Sequence, residues 1–349
     1  MRAARSPSAN DALANPVATP SSLVRLKPLI SAGLRDAVDH LSPRLRRIVS
    51  YHLGWQDEVG GDTDAEGGKA LRPTIALVAA EAVGSSPEAA LPGAIAVELV
   101  HNFSLLHDDV MDGDRERRHR PTVWARFGLG EAIIAGDALL ALAQRVVLED
   151  SRPEARRAAE ELNRATAEMI EGQSEDLSFE SRLDVSIEEC LSMSAHKTAA
   201  LLSAAAALGA ILGGADEQRG ETLRRFGRHL GLAFQAVDDV LGIWGDPMVT
   251  GKPSASDLRQ RKKTIPVAHG LSSERGGELK SVLSSRELSE DALRRAVRIL
   301  EEAGSRELTL RFAWRTLVSS MAALEGAALA PRAADELREL AGFVVQRDF

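Results

Sequence analysis

Two pairs of adjacent aspartates are the residues of this chain best suited to bind a metal ion. Asp108-Asp109 and Asp238-Asp239 each close an apolar run, 99–106 and 230–237. A carboxylate in apolar surroundings is costly to keep ionised without a partner, or it neutralises through a shift of its pKa. Divalent cations lying between the two pairs would remove this cost. The pattern indicates Mg²⁺ that holds a phosphorylated substrate at the mouth of an apolar cavity.

The first pair is extended by a third acid. Asp108 and Asp112 are four residues apart, so on a helix they share one face at about 6 Å. Mg²⁺ can bridge two such carboxylates and share its remaining positions with substrate phosphates. A solvated acidic helix end is the alternative, but Phe103, Leu105 and Leu106 precede this cluster, where that alternative requires polar residues.

The second pair lacks the corresponding acid. Gly242 stands four residues after Asp238, so one ligand is missing, and this side is expected to hold its metal ion through Asp238, with Asp239 as a further candidate. Asp246 lies just before Pro247, where a role in capping the loop is the simpler interpretation. An acid restored at position 242 is expected to leave activity similar or to raise it.

Cations cluster near the ends of the same predicted helices. Lys69 and Arg72 follow Gly67-Gly68 at a helix start, a suitable cradle for pyrophosphate. His101 lies two turns before Asp108 on the same face. The remaining basic residues of interest are Arg115, Arg117, Arg118, Arg120, Lys197, Lys252, Lys262 and Lys263. Each of these residues alone is weak evidence for a binding site, because exposed loops often carry basic residues and a lone histidine is often part of the core.

The elements that must position these residues are α-helices. Apolar residues make up 44 % of the chain and aromatic residues 4 %, and Ala and Leu dominate, which favours helix over strand. No window shows sustained strand alternation. The helices are predicted over 22–53, 69–83, 87–112, 130–150, 152–179, 186–213, 216–243, 288–304, 306–327 and 333–346. We therefore expect an all-α fold.

Length and charge limit the remaining possibilities. Of the 349 residues, 1–22 are Ala-, Pro- and Ser-rich and are predicted to be a disordered tail, followed by a single domain over 23–349. The net charge of −8 argues against nucleic acid as the main partner. Cys190 is the only cysteine, which excludes an intrachain disulfide and favours the cytoplasm. The longest apolar run, 199–214, is too short and Ala-rich for a membrane span.

With these motifs in order, the chain resembles the polyprenyl (isoprenyl) diphosphate synthases, the trans head-to-tail prenyltransferases, over about residues 25 to 345. The matching segments are GGKALRP (67–73), HNFSLLHDDVMD (101–112), RRHRPT (117–122), EGQSEDL (171–177), HKT (196–198), FQAVDDVLG (234–242) and GKPSASDLRQRKKTIP (251–266). Seven such segments with compatible spacing are highly specific. The resemblance implies about ten or more helices around a deep central cavity, and a homodimer.

The resemblance also implies a role for each matching residue. The family places Asp108, Asp109 and Asp112 on Mg²⁺ that bridges the allylic diphosphate, with a further Mg²⁺ on Asp238 and three ions in all. The isopentenyl diphosphate would bind to Lys69, Arg72, His101 and Arg118. The allylic diphosphate would bind to Arg117, Lys197, Lys252 and Lys262. Thr198 and Gln235 would lie near the developing allylic cation.

Product length is expected to follow from the residues one turn below Asp108. Phe103 with the small Ser104 beside it, and no insertion within the acidic motif, resembles synthases of the C20 product geranylgeranyl diphosphate. The C15 product farnesyl diphosphate is the alternative. Two other hypotheses stay open: a terpene cyclase of a related fold, and a weakly active or regulatory subunit, since Gly242, Ala70 and His119 depart from the family pattern. The tail 1–22 permits a docking role.

Overall fold

The computed structural model describes residues 18–63, 68–247, 254–285 and 287–345, and these residues form the predicted all-α fold. The helices of its first half are α1 (Ser21–Asp39), α2 (Pro43–His52), α3 (Leu71–Ala82), α4 (Leu91–Met111), α5 (Val123–Phe127), α6 (Leu129–Leu148), α7 (Glu154–Phe179) and α8 (Ile187–Ser194). Those of its second half are α9 (Ala200–Leu212), α10 (Glu217–Trp244), α11 (Ser256–Arg259), α12 (Ile265–Ser272), α13 (Gly276–Leu283), α14 (Glu290–Glu302), α15 (Ser305–Ala323) and α16 (Pro331–Val345). Within the described ranges, the only strands are β1 (Glu116–Arg117) and β2 (Arg120–Pro121), which pair as an antiparallel hairpin.

The core is built around α9, every residue of which is buried. Small residues let its neighbours approach closely: a Cβ added at Gly227 or Gly231 of α10 would lie 2.4 Å from backbone atoms of Leu202 or Ala199. α9 also packs on α3 and α7, and α4 packs on α3, α6 and α9. The alanine-rich run predicted as a buried helix is therefore the centre of the bundle. This packing fixes α4 and α10, the helices that carry the two aspartate pairs.

Two apolar helical stretches meet the length and composition of a membrane span. They cover Pro87–Met111 and Ile187–Leu212, and 67 % and 89 % of their most apolar windows are buried inside the protein. Burial of this extent is typical of core helices, so the stretches are weak evidence for a span.

One predicted helix near the N-terminal end is two helices in the structure. The helix expected over 22–53 is broken at residues 40–42, because Pro43 disfavours helical backbone in the residue before it and starts a new helix. The first helix begins at Ser21, one residue from its predicted start. Residues 1–17 lie outside the described part.

The helix predicted over 186–213 contains an irregular turn. It opens with the predicted capping box, in which Ser186 and Glu189 satisfy each other's backbone N–H groups. Residues Ala195–Ala199 then form a π-helical turn between α8 and α9. π-Helical turns occur often at functional sites, and this one contains Lys197 and Thr198.

A smaller apolar cluster lies after α10. Leu258 of α11, Val267 of α12 and Leu279 of α13 pack there with Ile299 and Leu300 of α14. Neither α12 nor α13 is among the predicted helices, and each has only eight residues. This cluster supports the segment that follows α10, and that segment returns to the site described next.

Candidate active site

The C-terminal end of α4 presents two of its three aspartates on one face. Asp108 lies in the last turn and Asp112 is the C-cap residue. Burial is the main cause that raises the pKa of Asp108, and the Asp112 charge adds to it, while Lys197, Lys262 and Arg117 oppose the shift. This face therefore combines two carboxylates with cations from three other parts of the chain.

Asp109 is turned away from that face. Its side chain is buried and forms a salt bridge with Arg117, at 2.7 Å from the guanidinium. Burial raises the pKa of Asp109 to about 6, against the opposing effect of Arg117. In this structure the Asp109 carboxylate anchors the hairpin of β1 and β2, and its role as a metal ligand stays a prediction.

The hairpin presents its arginines to different partners. Arg118 and His119 take left-handed backbone conformations at the turn, with φ of 52° and 60°. Arg120 donates to the backbone oxygens of Tyr51 and Gln56 and stacks on the Tyr51 ring at 4.4 Å, so it has a structural role. Arg117 and Arg118 are the two arginines left for substrate.

Arg118 joins the hairpin to the glycine-rich segment before α3. A Cβ added at Gly68 would lie 2.8 Å from an Nη atom of Arg118, so the guanidinium lies directly against the Gly68 backbone. Lys69 follows directly, with its Nζ 5.0 Å from the Phe343 ring of α16. Arg72 lies 5.9 Å from the Phe234 ring of α10.

His101 belongs to the same cationic group. Burial lowers its pKa well below the ordinary value, and Arg72 and Arg118 lower it further. Its imidazole can hydrogen bond to phosphate oxygens. The structure thus brings Arg72, His101 and Arg118 together, and Lys69, the fourth residue predicted for isopentenyl diphosphate, follows the Gly68 backbone that Arg118 contacts.

The second acidic wall is the C-terminal part of α10, and its two aspartates also differ. Asp239 is buried, and its two oxygens accept from Gln235 Nε2 at 2.8 Å and from the backbone N–H of Ile265 at 3.0 Å. Burial raises the pKa of Asp239 to about 7, although both hydrogen bonds lower it. Protein donors contact both Asp239 oxygens in this structure, so Asp238 is the ligand favoured on this wall and a metal-ligand role for Asp239 stays a prediction.

The space beside Gly242 is filled by a residue that the sequence analysis did not assign. A Cβ added at Gly242 would lie 2.0 Å from Asp257 Oδ2 and 2.6 Å from Oδ1. Asp257, on α11, therefore brings a carboxylate to the place left open by the glycine. An acid added at position 242 would have to displace this carboxylate, and the expectation that it leaves activity similar or raises it stays a prediction. The signal available in the sequence was Asp257 itself, within the segment matched to the family.

The segment after α11 connects the two acidic walls. Lys262 Nζ donates to Asp112 Oδ2 at 3.0 Å. Although burial lowers the pKa of Lys262, the charges of Asp112, Asp176 and Asp257 raise it above its ordinary value. Since Asp257 also lies against Gly242 of α10, the acidic ends of α4 and α10 border the same space.

The other lysines predicted near the site differ in their positions and hydrogen-bond partners. Lys263 Nζ is buried and donates to the backbone oxygens of Glu180 and Arg261, so Lys263 is structural. Lys252 lies outside the described residues. Lys197, in the π-helical turn, donates to Asp176 Oδ2 at 2.6 Å. Gly172 of α7 permits this arrangement, because a Cβ there would lie 2.2 Å from the Lys197 backbone nitrogen.

Thr198 of the π-helical turn and Gln235 of α10 contact each other. The Thr198 hydroxyl donates to Gln235 Oε1 at 2.5 Å. Lower on α4, Phe103 is buried and makes an edge-to-face contact with His107 at 4.8 Å between ring centroids. His107 Nε2 in turn donates to the Ile133 backbone oxygen at 3.0 Å. The expected floor residue is thus held firmly in the bundle.

A helical bundle with two acidic helix ends around one space, flanked by two groups of cations, defines a class of enzymes that bind diphosphates. Comparison with known proteins agrees. Residues 55–300 match the family model described as polyprenyl synthetase. A (2E,6E)-farnesyl diphosphate synthase of Mycobacterium tuberculosis H37Rv is 48 % identical over 325 residues, covering 91 % of this chain and 90 % of the relative. A geranylgeranyl diphosphate synthase of the same strain is 42 % identical over 303 residues, covering 85 % and 86 %.

A solved structure shows the same similarity. The crystal structure of a polyprenyl synthetase from Streptomyces coelicolor A3(2) has a TM-score of 0.89 and 48 % identity, covering 94 % of this chain and 100 % of that chain. The chain therefore belongs to the polyprenyl synthetase family. It is a trans-prenyltransferase that carries out prenyl diphosphate synthase condensation.

Proposed function

We propose that this enzyme joins isopentenyl diphosphate head-to-tail to allylic diphosphates, with Mg²⁺ as cofactor and geranylgeranyl diphosphate as main product. The observation that supports this best is the link across the site. Lys262 bonds Asp112 of one wall, and Asp257 lies against Gly242 of the other. Two opposed acidic walls with cations between them are suited to bind the diphosphate that acts as the leaving group.

The donor set fits Mg²⁺. Asp108 and Asp112 on one wall and Asp238 on the other would hold the ions, three of them by family expectation. Among the described residues, no three carboxylate, imidazole or thiol groups form a metal cluster by themselves. Mg²⁺ commonly takes one or two carboxylates and completes its shell with phosphate oxygens and water. When bound, it would stabilise negative charge on the departing pyrophosphate.

The cations divide between the two substrates. Arg117, Lys197, Lys252 and Lys262 would bind the allylic diphosphate, and in the described structure three of them already pair with carboxylates beside the site. Binding of the diphosphate would exchange these partners for phosphate oxygens. The group on the other side would bind isopentenyl diphosphate, which needs only to be held: Lys69, Arg72, His101 and Arg118.

The proposed reaction requires little proton transfer by side chains. As the allylic carbon–oxygen bond breaks, the Thr198 and Gln235 oxygens would face the developing cation. The isopentenyl double bond then attacks this carbon, and the proton lost afterwards goes to the released pyrophosphate. The apolar bundle excludes water, which would otherwise capture the cation.

Product length remains the finer part of the proposal. Phe103, with Ser104 beside it, supports the C20 product, since one aromatic side chain closes the cavity less than two would. The C15 product, farnesyl diphosphate, is the second candidate, because the farnesyl diphosphate synthase from Mycobacterium tuberculosis is more similar to the chain than the geranylgeranyl enzyme from that strain.

We also propose a cytoplasmic homodimer. The apolar residues Leu129, Ile133 and Ile134 of α6 are exposed, and a second copy of the chain would cover them. One domain over 23–349 fits the described helices, and a docking role for the N-terminal tail stays a proposal.

One assay tests the proposal. The protein would be incubated with Mg²⁺, labelled isopentenyl diphosphate and each allylic starter in turn, and the dephosphorylated products separated by chromatography. We expect condensation with a main C20 product. Incubation with geranylgeranyl diphosphate alone distinguishes a terpene cyclase from a prenyl diphosphate synthase. Release of a hydrocarbon would indicate the cyclase and contradict the synthase. No condensation with any starter would favour a regulatory subunit.

A further inference from the structure

Asp239 and Gln235 form a hydrogen-bonded chain inside α10. Both Asp239 oxygens are used, by Gln235 Nε2 at 2.8 Å and by the Ile265 N–H at 3.0 Å. The exposed fraction of Asp239 is 3 %. The backbone N–H of Ile265 cannot change its direction, so it fixes one end of this chain.

The carboxylate decides which way the Gln235 amide faces. In its ionised form Asp239 only accepts, so the amide presents its N–H groups to Asp239 and its carbonyl oxygen to the other side. On that other side, the Thr198 hydroxyl donates to Gln235 Oε1 at 2.5 Å. For ionised Asp239 the orientation of the amide therefore follows from hydrogen-bond chemistry and does not depend on telling nitrogen from oxygen.

We propose that Asp239 is a positioning residue that holds the Gln235 carbonyl oxygen toward the reacting allylic carbon. This inference rests on the proposed function and replaces the metal-ligand role expected for Asp239. The negative end of a fixed amide dipole stabilises positive charge that develops in front of it, and it needs no reorganisation during the reaction. Reversal of the amide would present N–H groups to the same carbon.

The reversal can be produced by one substitution. In Asp239→Asn, the new amide must give its oxygen to the Ile265 N–H, so its own N–H groups face Gln235. Gln235 then turns its carbonyl oxygen toward the replaced side chain at position 239, and its N–H groups point to Thr198 and the site. We expect kcat to fall about 100-fold, as for loss of one preorganised electrostatic group.

A second substitution should undo the effect. In the double variant Gln235→Glu with Asp239→Asn, the new carboxylate accepts from the amide at position 239 and from Thr198, so an oxygen again faces the site. We expect kcat within about tenfold of the wild-type value, since the preorganised acceptor is restored. Gln235→Glu alone places two carboxylates together and should be poorly active, which completes a double-mutant cycle.

The measurement is kcat, KM for both substrates and the Mg²⁺ concentration that gives half-maximal rate, for the full-length chain. Asp239→Asn should lower kcat and leave the Mg²⁺ requirement within about twofold, whereas the control Asp238→Asn should raise that requirement. Thermal unfolding of each variant shows whether the fold is retained. The double variant preserves the buried hydrogen bonds even where the single variant does not fold.

Two results would overturn the inference alone. One is an Mg²⁺ requirement that rises in Asp239→Asn as much as in Asp238→Asn. The other is a folded double variant no more active than Asp239→Asn. Failure of the wild-type protein to condense the substrates would instead overturn the proposed function, and this inference with it.

Discussion

Gly242→Ala should damage this enzyme, although alanine is normally the better residue in a helix. The added Cβ would lie 2.0 Å from Asp257 Oδ2, where ordinary contact begins at 3.4 Å, so the carboxylate must retreat by about 1.4 Å. Overpacking of this kind costs about 1–3 kcal/mol of stability. A displacement of about 1 Å near a reacting centre can cost about 100-fold in rate, and Asp257 is one of the charges that hold Lys262.

Gly220→Ala provides the matched control. It lies on the same helix, and a Cβ there would meet nothing within 4 Å, so it should stabilise the protein by about 1 kcal/mol. Denaturant titration at a fixed protein concentration measures the free energy of unfolding, and the condensation assay measures kcat. Adding Asp257→Ala to Gly242→Ala should restore stability but not activity. If Gly242→Ala is as stable and active as Gly220→Ala, the Asp257 carboxylate does not occupy this space.

Three further outcomes are expected. Asp108→Ala should lower turnover by several orders of magnitude with an unchanged circular dichroism spectrum, and a mild loss would show that α4 does not carry the metal. Phe103→Ala should shift the products to longer chains in chromatography; an unchanged product spectrum would remove Phe103 as the floor. Glu161→Gln should destabilise by about 1–2 kcal/mol near neutral pH. Burial tends to raise the pKa of Glu161, but hydrogen bonds from Arg224 and Arg164 outweigh this and hold the pKa below its ordinary value. The stabilisation by Glu161 is therefore present above the unfolded-state pKa and is lost as pH falls through the folded one. Wild type and Glu161→Gln should become equally stable in acid, and a difference that persists there would contradict the ion-pair explanation.

The helices could be predicted because composition and apolar spacing are local properties. The capping box at Ser186 and Glu189 needs only four consecutive residues, and it is present in the structure. The π-helical turn at Ala195–Ala199 could not be predicted in this way. It depends on the close approach of Gly172, which belongs to a different helix.

The site shows where prediction from sequence fails and where it could have gone further. Successive residues on an α-helix are turned by about 100°, so the two aspartates of a pair point in different directions. In each pair one aspartate faces a protein donor: Asp109 meets Arg117, and Asp239 meets Gln235 and the Ile265 N–H. Helix geometry alone predicts that the two side chains diverge. It could not have shown which one meets a protein donor, because Arg117 comes from the hairpin and the Ile265 N–H from α12.

Tertiary contacts also explain why Gly242 does not leave the second acidic wall without a carboxylate at this position. On α4 the position four residues after the first aspartate carries Asp112, whereas on α10 it carries a glycine whose space holds Asp257 from another element. A carboxylate is thus present near both helix ends, by local spacing in one wall and by a tertiary contact in the other. Because Asp257 reaches the wall from α11, its place depends on the packing of the cluster formed by α11 to α14. Substitutions that loosen that cluster, far from either diphosphate, should therefore lower activity through Asp257 and Lys262 before they unfold the bundle.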